Sequence, residues 1–402
     1  MLLGPSRVMR HLRVPKRETQ LVLGLINNYS WAPSGLRILN NDEYNLIPLG
    51  SYSPENLPPA FLEYDVVMAE QPGRTPQKWI EYLPKYLDEE IIKKHDGIWP
   101  NAQEPLGDIL IFKSVREISD YSQEIALAKL THHKKIRAVF RDHGVIGEFR
   151  IRKLEPLAAR YEEIIIDKSK ILELDEETRH ELLSTEIVVK EFGCLIITDP
   201  TRAYYSSKLQ GEREQNVESA RKLSAILGRP INVADPYCGV GPAIVHLLDR
   251  LDIIDGFLAS DLNPDAIKLF SKNLTRFGIE VKEEMFQNII NLGQSHFAGV
   301  ADALDLKNDE RFVGKFDMLL VNLPHNTINH LPHLLPLLRK DSPTLLRGWL
   351  IAHEDEISGL NENLLQILSL PHTNSPDNLI EKRRQYSSVE WLCKFEIILN
   401  LQ

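Results

Sequence analysis

The sequence predicts an α/β protein: a parallel, doubly wound sheet in the C-terminal half, preceded by two smaller α+β modules. Three observations carry that prediction. From about Gly228, short apolar runs at 231–235, 256–261, 316–321 and 348–352 alternate with helical periodicity, and apolar strands of this kind are covered by helices on both faces. Upstream, the apolar runs are shorter and broken by Pro48-Leu49-Gly50 and Pro58-Pro59, the punctuation of small mixed modules. The length of 402 residues suits two or three domains at roughly 100–200 residues each. The expected divisions are 1–72, 73–200 and 201–402.

Taken in order, residues 1 to about 70 read as a small α+β module with a turn at Ser34-Gly35, and Pro72-Gly73 marks a linker. In the middle section 108–112 reads as a strand, 122–130 as a helix, 135–140 as a strand and 185–198 as a strand pair about Gly193. The polar stretch 167–184 is a surface helical insertion. In the last section the strand 231–235 leads into a glycine turn, a helix over 243–251 and a second strand at 256–261. A helix over 263–277 follows, with Ile267, Phe270 and Leu274 on one face, and the strands 316–321 and 348–352 complete the sheet. Ligands of such sheets sit at the carboxyl ends of the strands.

Composition excludes several classes. With 43% hydrophobic and 26% charged residues, the chain is neither disordered nor fibrous. No run of eighteen apolar residues occurs, and Arg7, Arg10, His11 and Arg13 interrupt the N-terminus. The expectation is therefore a cytosolic protein without membrane association. Cys194, Cys238 and Cys393 are far apart and odd in number, so free thiols are expected.

The net charge of −10 argues against a nucleic-acid binder in the sum, since phosphate contacts need clustered cations. Locally the balance reverses. Between Ala128 and Arg160 nine cations (Lys129, Lys134, Lys135, Arg137, Arg141, Arg150, Arg152, Lys153, Arg160) stand against three acids. Arg7, Arg10, Arg13, Lys16 and Arg17 form a second basic group. A charge run is by default a solvated face; the alternative is a surface for phosphate.

Asp235-Pro236-Tyr237-Cys238-Gly239-Val240-Gly241-Pro242 lies between the first strand and its helix. Its glycines let backbone approach a ligand, and the helix start offers unpaired N–H groups. Asp261 ends the second strand, where a carboxylate accepts from both hydroxyls of a ribose. A nicotinamide dinucleotide competes for this reading, but Ile244 stands where the third glycine of that fingerprint belongs. Asp235 would repel phosphate and suit the cationic amino acid end of S-adenosylmethionine. A tight turn that binds nothing is the bland alternative. After the strand at 316–321 comes Asn322-Leu323-Pro324-His325, an amide donor and acceptor set at a fixed angle by proline, which suits the edge of a flipped nucleobase. Asn-x-Pro is also a common loop. His325, His330 and His333 lack metal-ligand spacing, because Pro332 interrupts them, and read as surface or packing histidines.

Together these motifs resemble the archaeal and eukaryotic tRNA (guanine-37-N1)-methyltransferases and their wybutosine-pathway relatives. The resemblance extends through Leu12-Arg13-Val14-Pro15-Lys16-Arg17-Glu18, Leu106-Gly107-Asp108-Ile109-Leu110-Ile111 and Gly147-Glu148-Phe149-Arg150-Ile151-Arg152-Lys153-Leu154-Glu155. It continues through Tyr204-Tyr205-Ser206-Ser207-Lys208-Leu209-Gln210-Gly211-Glu212-Arg213, the cofactor turn, Asp261-Leu262-Asn263-Pro264-Asp265-Ala266 and Asn322-Leu323-Pro324.

The resemblance implies a Rossmann-type class I methyltransferase domain behind two smaller α+β domains, with S-adenosylmethionine as cofactor. It implies a small N-terminal module for the tRNA body, a basic middle domain that guides the anticodon arm, and a monomeric chain with no metal. Glu212 is implied as the general base for guanine N1, an arginine of the 147–154 segment as the contact to O6, and Asn322 as the residue holding the base. Guanine N1 is a weak acid, so its methylation needs a carboxylate within reach and a cation against O6. Of Arg150 and Arg152, Arg150 is the expected contact because it directly follows the turn. Lys208 completes the catalytic set, replacing the family's usual arginine fork with a point charge. Tyr204, Asp235, Gly239, Gly241, Asp261, Asn263, Asp302 and Asn322 form the expected cofactor set. Further departures are the longer 161–184 stretch and the absence of an aromatic pair after the late strand at 348–352. Aminocarboxypropyl transfer or methylation of a wyosine precursor ranks second, and a tRNA-binding homologue without chemistry is the alternative of a different class.

Overall fold

Met318–Val321 is apolar at all four positions and buried at each, as a strand covered on both faces must be. It belongs to an eight-stranded sheet made of β1 (Ile231–Asp235), β2 (Ile254–Asp261), β3 (Ile290–Gly293), β4 (His296–Val300), β5 (Met318–Val321), β6 (Pro343–His353), β7 (Ile380–Gln385) and β8 (Glu390–Asn400). The order across the sheet is β3-β4-β2-β1-β5-β6-β8-β7. The five central strands β4, β2, β1, β5 and β6 are parallel. The outer strands depart from the all-parallel expectation: β3 pairs with β4, and β8 with β6 and β7, antiparallel. Tight reversals join β3 to β4, with Gln294 and Ser295 at positive φ, and β7 to β8, and return the chain beside itself without the helical crossover that a parallel neighbour requires.

The computed structural model describes residues 7–32, 37–41, 43–71, 76–250, 252–369 and 379–400. The turn at Ser34-Gly35, the linker at Pro72-Gly73 and Leu251, the expected end of a helix, lie outside the described residues.

Helices α1 (Gln210–Leu227), α2 (Pro242–Leu248) and α3 (Pro264–Thr275) cover one face of the sheet, and α4 (Thr327–Leu334) and α5 (Ile357–Ile367) the other. Because side chains alternate along a strand, Met318 and Leu320 enter the first core and Leu319 and Val321 the second. On α3, Ile267, Phe270 and Leu274 are buried as their spacing predicts, and Asn263 caps the helix by accepting the Asp265 N–H. The neighbours β2 and β5 lie on opposite sides of β1. The sheet's winding reverses there, which opens a crevice at the carboxyl ends of the strands.

The chain forms two compact units. One comprises Glu104–Ile111, Asp142–Glu155 and Leu183–Gln402 and contains this sheet; the other comprises Met1–Gln103, Phe112–Arg141 and Pro156–Leu182. In the second unit a four-stranded antiparallel sheet of Leu39–Asn40, Tyr44–Pro48, Arg7–Pro15 and Asp65–Gln71 packs Leu12, Val14 and Ile47 against Val22 and Ile26 of the helix Thr19–Asn28. The expected insertion at 167–184 folds as two short helices, Lys168–Glu173 and Glu176–Leu182, the first capped by Asp167.

Much of the basic count of this unit turns inward. The Lys129 ammonium is buried, donates to Pro100 O and Gln103 Oε1, both at 2.8 Å, and lies 4.0 Å from the centroid of the Trp79 ring. Burial pushes its pKa down to about 7. Arg160 donates to the carbonyls of Leu130, His133 and Ile136, Arg137 to those of Glu181 and Leu182, and Arg141 to Ser119 and Ser122. Of the nine cations counted between Ala128 and Arg160, four donate to backbone carbonyls and polar side chains, while Lys134, Lys135 and Lys153 are exposed. Among the described residues no helix is long and apolar enough to cross a membrane.

Candidate functional site

The site begins at the glycine turn after β1. Gly239 and Gly241 have φ of 56° and 74°, which side chains disfavour. A Cβ on Gly241 would lie 2.0 Å from Phe270 Cδ2, so glycine is required there both for conformation and for contact between the turn and α3. The Asp261 carboxylate at the end of β2 accepts the Gly239 N–H through Oδ2 at 2.8 Å and the Asn263 N–H through Oδ1 at 2.9 Å. It thereby ties the turn to the next strand end. Burial pushes this carboxyl above its usual range, against the pull of those backbone N–H groups.

These elements form one wall of a cleft of about 520 Å³, within the ordinary range for a small-molecule site. Leu262, Ala266, Ala303 and Leu304 supply an apolar side. Asp302 stands at the rim and accepts the Leu304 N–H at 2.9 Å, starting a short helical turn. Tyr237 donates or accepts a 2.8 Å hydrogen bond with His330 Nδ1. The cleft thus combines an apolar slot, a buried carboxylate and a glycine turn, the features that an adenosine with a charged tail requires.

The opposite wall comes from distant parts of the chain. Arg150, at φ 52°, lies in a tight turn whose N–H returns to Gly147 O. Its Nη1 is 2.9 Å from His325 Nε2 and its Nη2 donates to Tyr386 Oη at 3.1 Å. The guanidinium also lies 5.6 Å from the Tyr204 ring centroid. Arg152 is directed elsewhere, paired with Glu104 at 2.7 Å. Asn322 follows β5 and its side chain is exposed to the cleft. Its loop is anchored by Thr327 Oγ1, which donates toward Leu323 O and Trp349 O, and by the Ile351 N–H to Pro324 O.

Behind Asn322 a small recess is lined by Glu212, Asp235, Arg213, Arg347 and Trp349. Glu212, in the first turn of α1, accepts from Arg383 Nε and Nη2 at 3.0 and 2.8 Å through Oε1, and from Arg347 Nη2 at 3.2 Å through Oε2. Asp235 is buried, and its Oδ1 has no hydrogen-bond partner. Burial pushes its pKa up to about 7, with Asp261 adding to the rise. A buried oxygen without a donor fits an incoming cationic group.

A second buried network fixes the start of α1. Glu191 receives Arg213 Nε and Nη2 at 2.8 and 2.5 Å and the Tyr205 hydroxyl, and His246 Nε2 lies 3.2 Å away. Burial alone would raise this carboxyl, but its bonds to His246, Arg213 and Tyr205 prevail and hold it at about 2. Arg213 also donates to Ser206 O at 2.9 Å, which holds the 204–206 segment beside the cleft.

The structure brings Arg150, Tyr204, Gly239, Asp261, Asn263, Asp302 and Asn322 to the cleft, and Glu212 and Asp235 to the recess behind it. Asn263 is a supporting residue, because its amide oxygen caps α3 and its Nδ2 donates to Arg202 O at 2.8 Å. Gly241 acts through its contact with Phe270. Lys208 is exposed and lines neither cavity. Arg347, Arg383 and Tyr386 escaped the sequence reading; the signals were a lone arginine within the apolar run of β6 and the cation run Lys382-Arg383-Arg384 next to a lone aromatic. Among the described residues no group of three or more His, Cys, Asp or Glu side chains could hold a metal.

Residues 81–159 match the family model described as the TYW2 N-terminal domain. Over 325 residues, 81% of this chain and 79% of the relative, the sequence is 22% identical to a tRNA (guanine(37)-N(1))-methyltransferase, Trm5b, of Pyrococcus abyssi. The chain is thus similar in sequence to proteins named tRNA (guanine-37-N1)-methyltransferases. The counterpart from Aedes aegypti is 27% identical over 259 residues, 57% of this chain and 42% of that longer protein. The crystal structure of the Pyrococcus abyssi Trm5b superposes with a TM-score of 0.63 at 19% identity, covering 96% of this chain and 98% of that one. The fold of that protein is therefore shared along nearly the whole chain.

Proposed function

We propose that this chain transfers a methyl group from S-adenosylmethionine to N1 of guanosine at position 37 of tRNA. The observation that carries the reading is the convergence of a glycine turn, Asp261, Arg150 and Asn322 on one cleft, with the Glu212 carboxylate in the adjoining recess. The names of the related proteins support the same reading. Gly239 and Asp261 hold the donor, with Gly241 shaping the turn, Tyr204 and Asp302 at the donor's edges and Asp235 facing its ammonium end. Bound there, S-adenosylmethionine supplies an electrophilic methyl group.

The remaining chemistry belongs to the protein. Asn322 holds the base by its amide, and Arg150 faces O6, where negative charge develops as N1 loses its proton. Glu212 takes that proton. Arg383 presents two N–H donors to Glu212 Oε1, the pattern that a guanine edge presents with N1–H and N2–H, so the base reaches Glu212 by replacing Arg383. Arg347 stays in place and keeps the carboxylate oriented. Adenine has an acceptor at N1 and cannot make this exchange. The N-terminal unit serves the tRNA body, and the exposed cations of the middle segment serve the anticodon arm.

The match to the TYW2 N-terminal domain favours a second reading, aminocarboxypropyl transfer to the same tRNA position; Glu212 and the Asn322-Leu323-Pro324 loop favour methylation. Mass analysis of nucleosides from tRNA treated with enzyme and donor decides between them. A guanosine heavier by one methyl group supports the proposal, and one carrying the longer aminocarboxypropyl chain overturns it.

A further inference from the structure

Arg150 is gripped from three sides by His325, Tyr386 and Tyr204. Its Nη1 is 2.9 Å from His325 Nε2, its Nη2 donates to Tyr386 Oη at 3.1 Å, and Tyr204 lies beneath it with its ring centroid 5.6 Å away. His325 Nε2 and Tyr386 Oη are themselves 3.2 Å apart, closing a three-membered polar ring. All four residues line the cleft. His325 rides on the loop after β5, and Tyr386 on the reversal between β7 and β8, whose geometry is fixed by Tyr386 N–H to Glu390 O at 2.8 Å. The arginine itself holds a left-handed backbone conformation at φ 52°, which a non-glycine residue keeps only where its surroundings over-determine it.

We propose that His325 and Tyr386 are positioning residues that aim the Arg150 guanidinium into the cleft. An arginine has five N–H donors. Two are directed to His325 and Tyr386, so three remain for the substrate, and the two contacts fix the plane in which they point. A free arginine at a cleft mouth samples many rotamers, and rate is lost when a charge-stabilising group is not preorganised. The histidine must present its Nε2 lone pair to accept, which places its proton on Nδ1. The inference rests on the proposed function only for the identity of the substrate oxygen.

The test uses the full chain with Tyr386→Phe, His325→Ala and His325→Gln, each alone and with Arg150→Lys. Two readouts are taken: single-turnover methyl transfer to tRNA, and phenylglyoxal labelling of Arg150 followed by peptide mass analysis. Tyr386→Phe and His325→Ala are expected to lower the methyl-transfer step roughly five- to tenfold, the loss of one hydrogen bond each, with tRNA KM and donor affinity unchanged. His325→Gln restores an acceptor and most of the rate. In the Arg150→Lys background the same substitutions have little further effect. Labelling of Arg150 rises in Tyr386→Phe and His325→Ala and falls back in His325→Gln. Wild-type labelling and rates in both variants, or full additivity with Arg150→Lys, would overturn the inference. Absence of methyl transfer by the wild-type chain would count against the proposed function, and the labelling pattern would then decide the positioning role by itself.

Discussion

The cofactor turn makes a quantitative demand at Gly241 that its neighbour Gly239 does not share. Both have positive φ, 74° and 56°, so alanine at either costs about 1–2 kcal/mol in backbone energy. At Gly239 the nearest atom to an added Cβ is Tyr204 O at 3.8 Å, an ordinary contact; at Gly241 the Phe270 ring stands at 2.0 and 2.1 Å. Phe270 is fully buried and packs edge-on against Phe257, so it cannot yield without disturbing the core of α3 and β2. Overpacking of that kind adds about 1–3 kcal/mol. Gly241→Ala is therefore expected to destabilise the chain by about 2–5 kcal/mol, the sum of the two costs, and Gly239→Ala by the backbone cost alone. Urea unfolding of the full-length variants measures both. Phe270→Leu combined with Gly241→Ala should recover part of the loss, because the shorter side chain vacates the colliding position. Equal destabilisation by the two alanines, or full additivity of Phe270→Leu with Gly241→Ala, would refute the steric account.

Glu212→Gln should leave donor binding by calorimetry intact and reduce turnover about a hundredfold or more; unchanged turnover would remove Glu212 as the base. Asp317 is fully buried, accepts from Arg229 at 2.6 and 2.9 Å and from the Asn232 N–H at 2.8 Å, and is ion-paired with Arg339 at 3.1 Å. Asp317→Ala, which leaves the Asn232 N–H without its acceptor and two part-exposed guanidinium groups without their partner, is expected to cost about 1–3 kcal/mol in unfolding free energy; a loss near that of a surface substitution would contradict it. The Glu191 carboxyl titrates at about 2 in the folded chain, below the ordinary 4.5. Its stabilisation is thus complete above the unfolded value and is lost as pH falls from there toward 2. Thermal unfolding across that window should show a steeper acid loss in the wild type than in Glu191→Gln, and parallel curves would contradict the assignment.

The doubly wound sheet was legible because its signal is local: apolar runs of strand length, a glycine turn, and acids closing the first two strands. Asp261, Gly239 and Asn322 were legible as cleft residues because they lie at or just beyond strand ends, and the sheet brings strand ends together. What the sequence concealed depends on distant pairing. Arg347 lies in the middle of β6 within an apolar run and reads as an anomaly until Glu212 and Glu396 are seen beside it. Arg383 and Tyr386 come from the antiparallel β7–β8 hairpin, which a parallel-sheet reading had no reason to place at the cleft. Charge counting failed in the middle segment for a related reason. Lys129 and Arg160 belong to a cation-rich stretch, yet both are turned inward to carbonyls, and composition carries no information about direction.

The central claim is most directly tested by supplying the chain with S-adenosylmethionine labelled in the methyl group and two tRNA transcripts that differ only at position 37, guanosine in one and adenosine in the other. Label on the guanosine transcript alone is the predicted result, because only guanine brings paired N–H donors to Glu212 and a carbonyl to Arg150. Label on both transcripts, or on neither while calorimetry detects the bound donor, would contradict it.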